Sequence, residues 1–159
     1  MQVEKTTLND CYLIRNTVFH DDRGSFFESF NRQRFLQLTG IDADFVQDNQ
    51  SHSAKGVLRG LHFQTGDAAQ AKLVRVLQGV VLDVVVDIRK NSPTFLKTFS
   101  IELSKKNQKM LCIPKGFAHG FQTLEDETEL LYFHSSIYAP LNEDALNIKD
   151  PLLDIKWPL

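Results

Sequence analysis

The sequence predicts an all-β domain, a sandwich or barrel with one or two short helices. Three observations carry that expectation. Short runs of β-branched and aromatic residues recur along the chain, each bounded by turn chemistry. Phe dominates the aromatic content, with 12 residues against one Trp and three Tyr, which suits the inside of a β-structure. One stretch alone stands out as a capped helix.

In chain order, Asp21-Asp22-Arg23-Gly24-Ser25-Phe26-Phe27-Glu28 reads as a polar turn entering a strand. The helix follows: Asn31 is a good N-cap, Phe35, Leu36 and Leu38 supply an apolar side, and Gly40 can close it. The stretch from Ser51 to Gln64 places an Arg and a His inside an apolar strand. Leu73 to Leu77, Val80 to Ile88, Phe95 to Leu103, Met110 to Ile113 and Glu129 to Phe133 read as further strands. Gln78-Gly79, Lys90-Asn91-Ser92-Pro93, Lys105-Lys106-Asn107 and Pro114-Lys115-Gly116 separate them. Val80 to Ile88 is too apolar for a half-exposed strand, so one face should meet the barrel interior and the other a second sheet or subunit. A dimer is expected on that ground. Asp83 and Asp87 share parity on this strand and should point the same way.

With 159 residues, 42% hydrophobic and 24% charged, the chain is expected to form a single domain over 1–159. A net charge of −2 gives no basic field to recruit nucleic acid or an anionic membrane, so any phosphate must be met by local cations. No apolar run approaches the ~20 residues of a membrane helix, and the N-terminus lacks the apolar core of a signal peptide. Cys11 and Cys112 have no metal-type spacing and are expected as buried free thiols in a reducing cytoplasm.

Candidate chemistry is densest between Ser51 and Gln64, where Arg59 and His62 interrupt an apolar strand and need partners. Lys72 and Arg75 follow on the next strand. Several cations on one β-layer call for an anion, and a diphosphate is the natural one. Strict alternation places Arg59 and His62 on opposite faces, so a shared site requires a bulge or twist at Gly60. In Pro114 to Phe121, a Pro and two glycines around His119 point to a sharply turning backbone that presents the imidazole inward. Tyr132 lies on a buried strand and needs a hydrogen-bond partner or a chemical task. Tyr138, before a Pro, can stack on a flat ligand or cap the barrel. Phe45-Val46-Gln47-Asp48-Asn49 adds amides suited to a base or sugar edge.

These blocks resemble the dTDP-4-dehydrorhamnose 3,5-epimerases, of the cupin-type jelly-roll class. The likeness runs from Asp22-Arg23-Gly24 through Gly56 to Gln64, Lys72 to Val76, Asp83 to Arg89 and Ile113 to Phe121, as far as Ile155-Lys156-Trp157-Pro158. The resemblance implies epimerisation at C3 and C5 of dTDP-4-dehydro-6-deoxy-D-glucose, a step in making dTDP-rhamnose, by a homodimer without a metal or other cofactor. It makes His62 the proton acceptor and Tyr132 the proton donor. Lys72 and His119 then line the sugar and phosphate site, and Arg59 meets the diphosphate. Arg23, Glu28, Gln47 and Asn49 hold nucleotide and sugar, Tyr138 stacks on thymine, and Glu143 is a further binding carboxylate. Arg23 and Glu28 are expected to serve the partner's site through exchanged strands. Metal-binding cupins usually present His-x-His, whereas here His62-Phe63-Gln64 puts Gln64 in the second ligand's place.

The family's Lys and Asp after the Trp-Pro pair, the Asp supporting the histidine, fall after Leu159. Within 1–159, Asp83 is the internal candidate to support His62. Leu141 to Lys149 stands where the family usually has a Gly and a Trp, Phe133 where relatives often carry Lys, and Ala71 where a Gly precedes Lys72. The departures fit a mono-epimerase acting on C3 or C5 only, on a related nucleotide-linked 4-keto sugar. A non-catalytic nucleotide-sugar binding protein and a metal-dependent cupin oxygenase are the readings from other classes.

Overall fold

A computed structural model describes residues 1–159. The strands are β1 (Gln2–Lys5), β2 (Tyr12–Arg15), β3 (Phe19–Asp21), β4 (Gly24–Phe26), β5 (Gln47–Ser53), β6 (Leu58–Gln64) and β7 (Lys72–Gln78). They continue as β8 (Val80–Asp87), β9 (Thr98–Ser104), β10 (Met110–Ile113), β11 (Phe117–Thr123), β12 (Thr128–His134) and β13 (Glu143–Ala145), with α1 at Arg32–Thr39. Six strands form one sheet in the order β1-β2-β10-β7-β12-β5, and five form another, β13-β6-β11-β8-β9. Every pairing is antiparallel. The result is a cupin-type jelly roll.

Side-chain parity sorts each strand into an inner and an outer face. Val74, Val76, Leu111, Ile113 and Leu130 of the larger sheet meet Val81, Val85, Leu103, Phe117 and Phe121 of the smaller one in a single core. Each such burial stabilises the sandwich by roughly 1.5–3 kcal/mol. The larger sheet's outer face (Ile14, Leu73, Met110, Cys112) is covered by α1 through Phe35 and by Ala43, Phe30 and Phe45. Asn31 caps the helix by accepting from the Arg34 N–H, and Gly40 ends it at φ +75. Only Phe35 of its expected apolar side is buried; Leu36 and Leu38 face solvent, because an eight-residue helix on a sheet edge needs a single anchor.

β8 is buried on both faces as its composition requires, but its cover differs from the expected sheet or subunit. Val84 and Val86 pack with Leu61, Ala118 and Leu153, and against Leu146, Ile148, Ile155 and Trp157 of the chain's own last segment. The Trp157 indole N–H donates to the Ile148 carbonyl at 2.9 Å, and Leu159 exchanges two backbone hydrogen bonds with the Gln122 amide. The expected strand at Phe95 starts only at Thr98, since Phe95 to Lys97 turn against Asp87. The sharp turn expected around His119 is confined to Pro114–Gly116. Phe117–Thr123 is a regular, wholly buried strand. No helix is long and apolar enough to cross a membrane.

Candidate active site

The site begins with a bulge. Phe121 lies opposite Arg59 and His119 opposite His62, so two steps along β11 answer three along β6. The extra residue restores Arg59 and His62 to one face, the one looking between the sheets. Gly60 absorbs it at φ +117, and a Cβ there would strike the backbone of His119 and Gly120. Gly120 has the matching constraint, since its own Cβ would meet the Arg59 carbonyl at 2.6 Å.

This geometry opens a cavity of about 420 Å³ lined by Arg59, His62 and His119 from the smaller sheet and Lys72 and Tyr132 from the larger. A second hollow of about 180 Å³ shares His62, Lys72 and Tyr132 and adds Asn49, Tyr138 and Glu143. The residues expected to do the chemistry thus lie together, with an extension bordered by Asn49, Tyr138 and Glu143 of those expected to bind. Arg59 is aimed by donating from Nε and Nη2 to the Ser53 hydroxyl, both at 3.2 Å. Gln47 stands beside Asn49, donating to its Oδ1 at 3.0 Å, and accepts from the Tyr138 N–H.

Burial pushes the Lys72 ammonium down to about 8, against the opposing pull of Asp83 and Glu143. Tyr138 donates its hydroxyl to Glu143 Oε2 at 2.7 Å, and that carboxylate raises the phenol's pKa. The expectation that Asp83 supports His62 is corrected here. Asp83 Oδ2 takes the Nε2–H of His119 at 2.9 Å instead, because β11, not β6, is the neighbour of β8. The carboxylate nearest His62 is Glu143, with Nδ1 and Oε1 3.9 Å apart, and the His62 side chain is 54% exposed.

Arg23 and Glu28 are not brought to this cavity within the chain. Arg23 sits at the β3–β4 turn, paired with Asp21 at 2.5 Å, and Glu28 pairs with Arg34 of α1 at 3.3 Å. Phe133 faces the outer side of the larger sheet, packed on Phe45 with ring centroids 6.1 Å apart, so this departure from the family does not touch the cavity. Gln64 spends its amide on the Ala68 and Ile137 carbonyls and the Ala139 N–H, holding the loop that carries Tyr138. Ser53, Gln70 and His134 were missed from sequence. For His134 a signal exists: it is two residues beyond Tyr132 and shares its parity.

The sequence model of the dTDP-4-dehydrorhamnose 3,5-epimerase family matches residues 5–159. The dTDP-4-dehydrorhamnose 3,5-epimerase of Salmonella typhimurium is 50% identical over 158 residues, covering 99% of this chain and 86% of that one. The crystal structure of the Elizabethkingia anophelis enzyme superposes with a TM-score of 0.97 at 47% identity, over 100% of this chain and 87% of that one. A Legionella pneumophila 3,5-epimerase solved in complex with dTDP-4-keto-L-rhamnose gives 0.95 at 45% identity, over 99% and 84%. A likeness this even, from β1 to the strap that ends beside Gln122, places the chain in the dTDP-4-dehydrorhamnose 3,5-epimerase family.

Proposed function

We propose that this chain converts dTDP-4-dehydro-6-deoxy-D-glucose to dTDP-4-dehydro-L-rhamnose by inverting C3 and C5. The observation that carries the reading is the single cavity into which one sheet sends His62 and the facing sheet sends Tyr132 and the buried Lys72. A ketone at C4 acidifies its neighbouring C–H bonds, since the electron pair of the broken bond passes into the carbonyl as an enolate. The His62 imidazole, with a ring nitrogen free to accept, suits the removal of such a proton. The Lys72 ammonium, itself buried, faces the oxygen that gains the charge. The Tyr132 hydroxyl returns a proton to the face opposite His62, and solvent then restores both residues. The sequence is redox-neutral, and every step is a proton transfer that side chains perform.

The working unit in this reading is a homodimer. The β3–β4 hairpin supports it: Phe19 and Phe26, paired across the strands, are 64% and 74% exposed, a contiguous apolar patch of the kind that docks on a partner. Docked on a partner, it delivers Arg23, and with it Glu28, to the other cavity. Two buried free thiols fit the reducing cytoplasm as the compartment.

The test is NMR of the sugar in D2O. Deuterium entering at both C3 and C5, and lost in His62→Ala, is the expected result. Label at one carbon makes the chain a mono-epimerase, and dTDP binding without exchange makes it a binding protein. Exchange that persists in His62→Ala overturns the mechanism.

A further inference from the structure

His134 takes no part in the proton transfers above, yet it is buried on the inner face of β12 beside Tyr132, which does, and Lys72, which faces the enolate oxygen. In the strand register it stands opposite Lys72 on β7 and Gln47 on β5. Its ring lies edge-on to Tyr132, with centroids 5.4 Å apart. It is also the middle member of a continuous hydrogen-bond chain whose two ends are backbone groups of one loop.

The direction of that chain follows from each end separately. The Tyr138 N–H can only donate, so Gln47 presents Oε1 to it at 2.9 Å and turns Nε2 to Asn49 Oδ1 at 3.0 Å. Asn49 must then offer Nδ2 to His134 Nε2, 3.4 Å away. From the other end, the Ser136 carbonyl can only accept, so Gln70 turns Nε2 to it at 2.7 Å and Oε1 to His134 Nδ1 at 3.1 Å. Both arguments require the same ring, protonated on Nδ1 and carrying its lone pair on Nε2. Burial, with Lys72 and His119 nearby, pushes its pKa down to about 4. The other ionisable groups around this hollow are His62 on β6, Glu143 on β13, Tyr132 on the same strand and Tyr138.

We infer that His134 is a positioning residue of the nucleotide-sugar site, its Nε2 lone pair holding the Asn49 amide so that the second Nδ2 hydrogen points at an acceptor oxygen of the ligand. The ligand's name rests on the epimerase reading; the tautomer does not. The chain of bonds also ties Asn49 to the loop bearing Tyr138, so the two contacts are set as a unit.

Two substitutions separate positioning from filling of space. His134→Gln places Oε1 where Nε2 stood and keeps Asn49 anchored. His134→Asn places Nδ2 where Nδ1 stood and keeps only the bond to Gln70. With the substrate above, KM is expected to rise about fivefold in His134→Asn, the scale of one lost hydrogen bond, with kcat little changed and His134→Gln close to wild type. Long-range proton–nitrogen NMR of the wild-type protein is expected to show His134 neutral and protonated on Nδ1 at pH 7. Protonation on Nε2, or equal KM values in the two variants, overturns the inference. A wild-type protein without turnover sinks the epimerase reading, while the spectrum still decides the tautomer.

Discussion

His119 and Asp83 meet at 2.9 Å in the interior of the sandwich, diagonal neighbours on β11 and β8. Their bond explains how the first of two carboxylates sits on a strand whose other residues are Val and Leu. It also leaves Asp83 Oδ1 buried with no hydrogen-bond partner, close enough to Lys72 to oppose the loss of its charge. Asp83 thus acts on the cavity twice, by orienting the His119 ring and by keeping Lys72 protonated.

The consequence is visible in a pH profile. Lys72 is useful to an enolate only as the ammonium, and it loses its proton as pH rises through about 8. Wild-type kcat is expected to fall on the alkaline side of that value. Asp83→Asn removes a charge that raises the Lys72 pKa, so its alkaline limb moves to lower pH by about one unit, equivalent to about 1.4 kcal/mol. The gap between variant and wild type narrows on acidification. An alkaline limb in the same place for both proteins contradicts the coupling.

The bulge at Gly60 makes a second prediction. Gly60→Ala must hold a Cβ at φ +117 and push it into the backbone of β11. The strained backbone costs about 1–3 kcal/mol and the overpacking about as much again. The matched control is Gly24→Ala at the β3–β4 turn, where φ is +128 and nothing lies within 4 Å of the added atom. Thermal melts are expected to show Gly60→Ala far less stable than Gly24→Ala. Its residual folded fraction is expected to lack turnover, because Arg59 and His62 no longer share a face. Equal melting temperatures for the two variants refute this account.

What was legible in the sequence follows the same geometry. β10 and most of β8 were readable because both faces are apolar, and the helix because Asn31 and Gly40 declare its ends. The bulge was readable because Arg59 and His62, three apart, share a face only with an extra residue between them. β5 was not readable as a strand: Gln47 to Ser53 is polar throughout, since its inner face looks into the site and its edge is unpaired. The partner of Asp83 was hidden for another reason. Parity shows which face a carboxylate takes but not which strand lies beside it, and β11 rather than β6 fills that place. His134 was passed over because the relay that fixes it runs through Gln47 and Gln70, far apart in sequence.

Asp87, two turns of parity beyond Asp83, supports the last prediction. Its carboxylate is fully buried, which alone raises its pKa, but Arg89, Ser92 and Thr94 all donate to it and hold it well below the usual carboxylate range. Arg89 reaches on to Asp10 at 2.9 Å, so the pair ties the β8–β9 loop to the turn before β2. A carboxylate depressed in this way contributes stability that is fully present above its ordinary value of 3.8 and is lost as pH falls toward its folded value. Asp87→Asn leaves the guanidinium without its buried partner and is expected to cost about 3 kcal/mol at pH 7. In urea unfolding followed from pH 7 to pH 3, the difference between wild type and variant is expected to shrink below pH 4. A difference that stays constant over that range means that the Asp87 charge does not hold this corner of the fold.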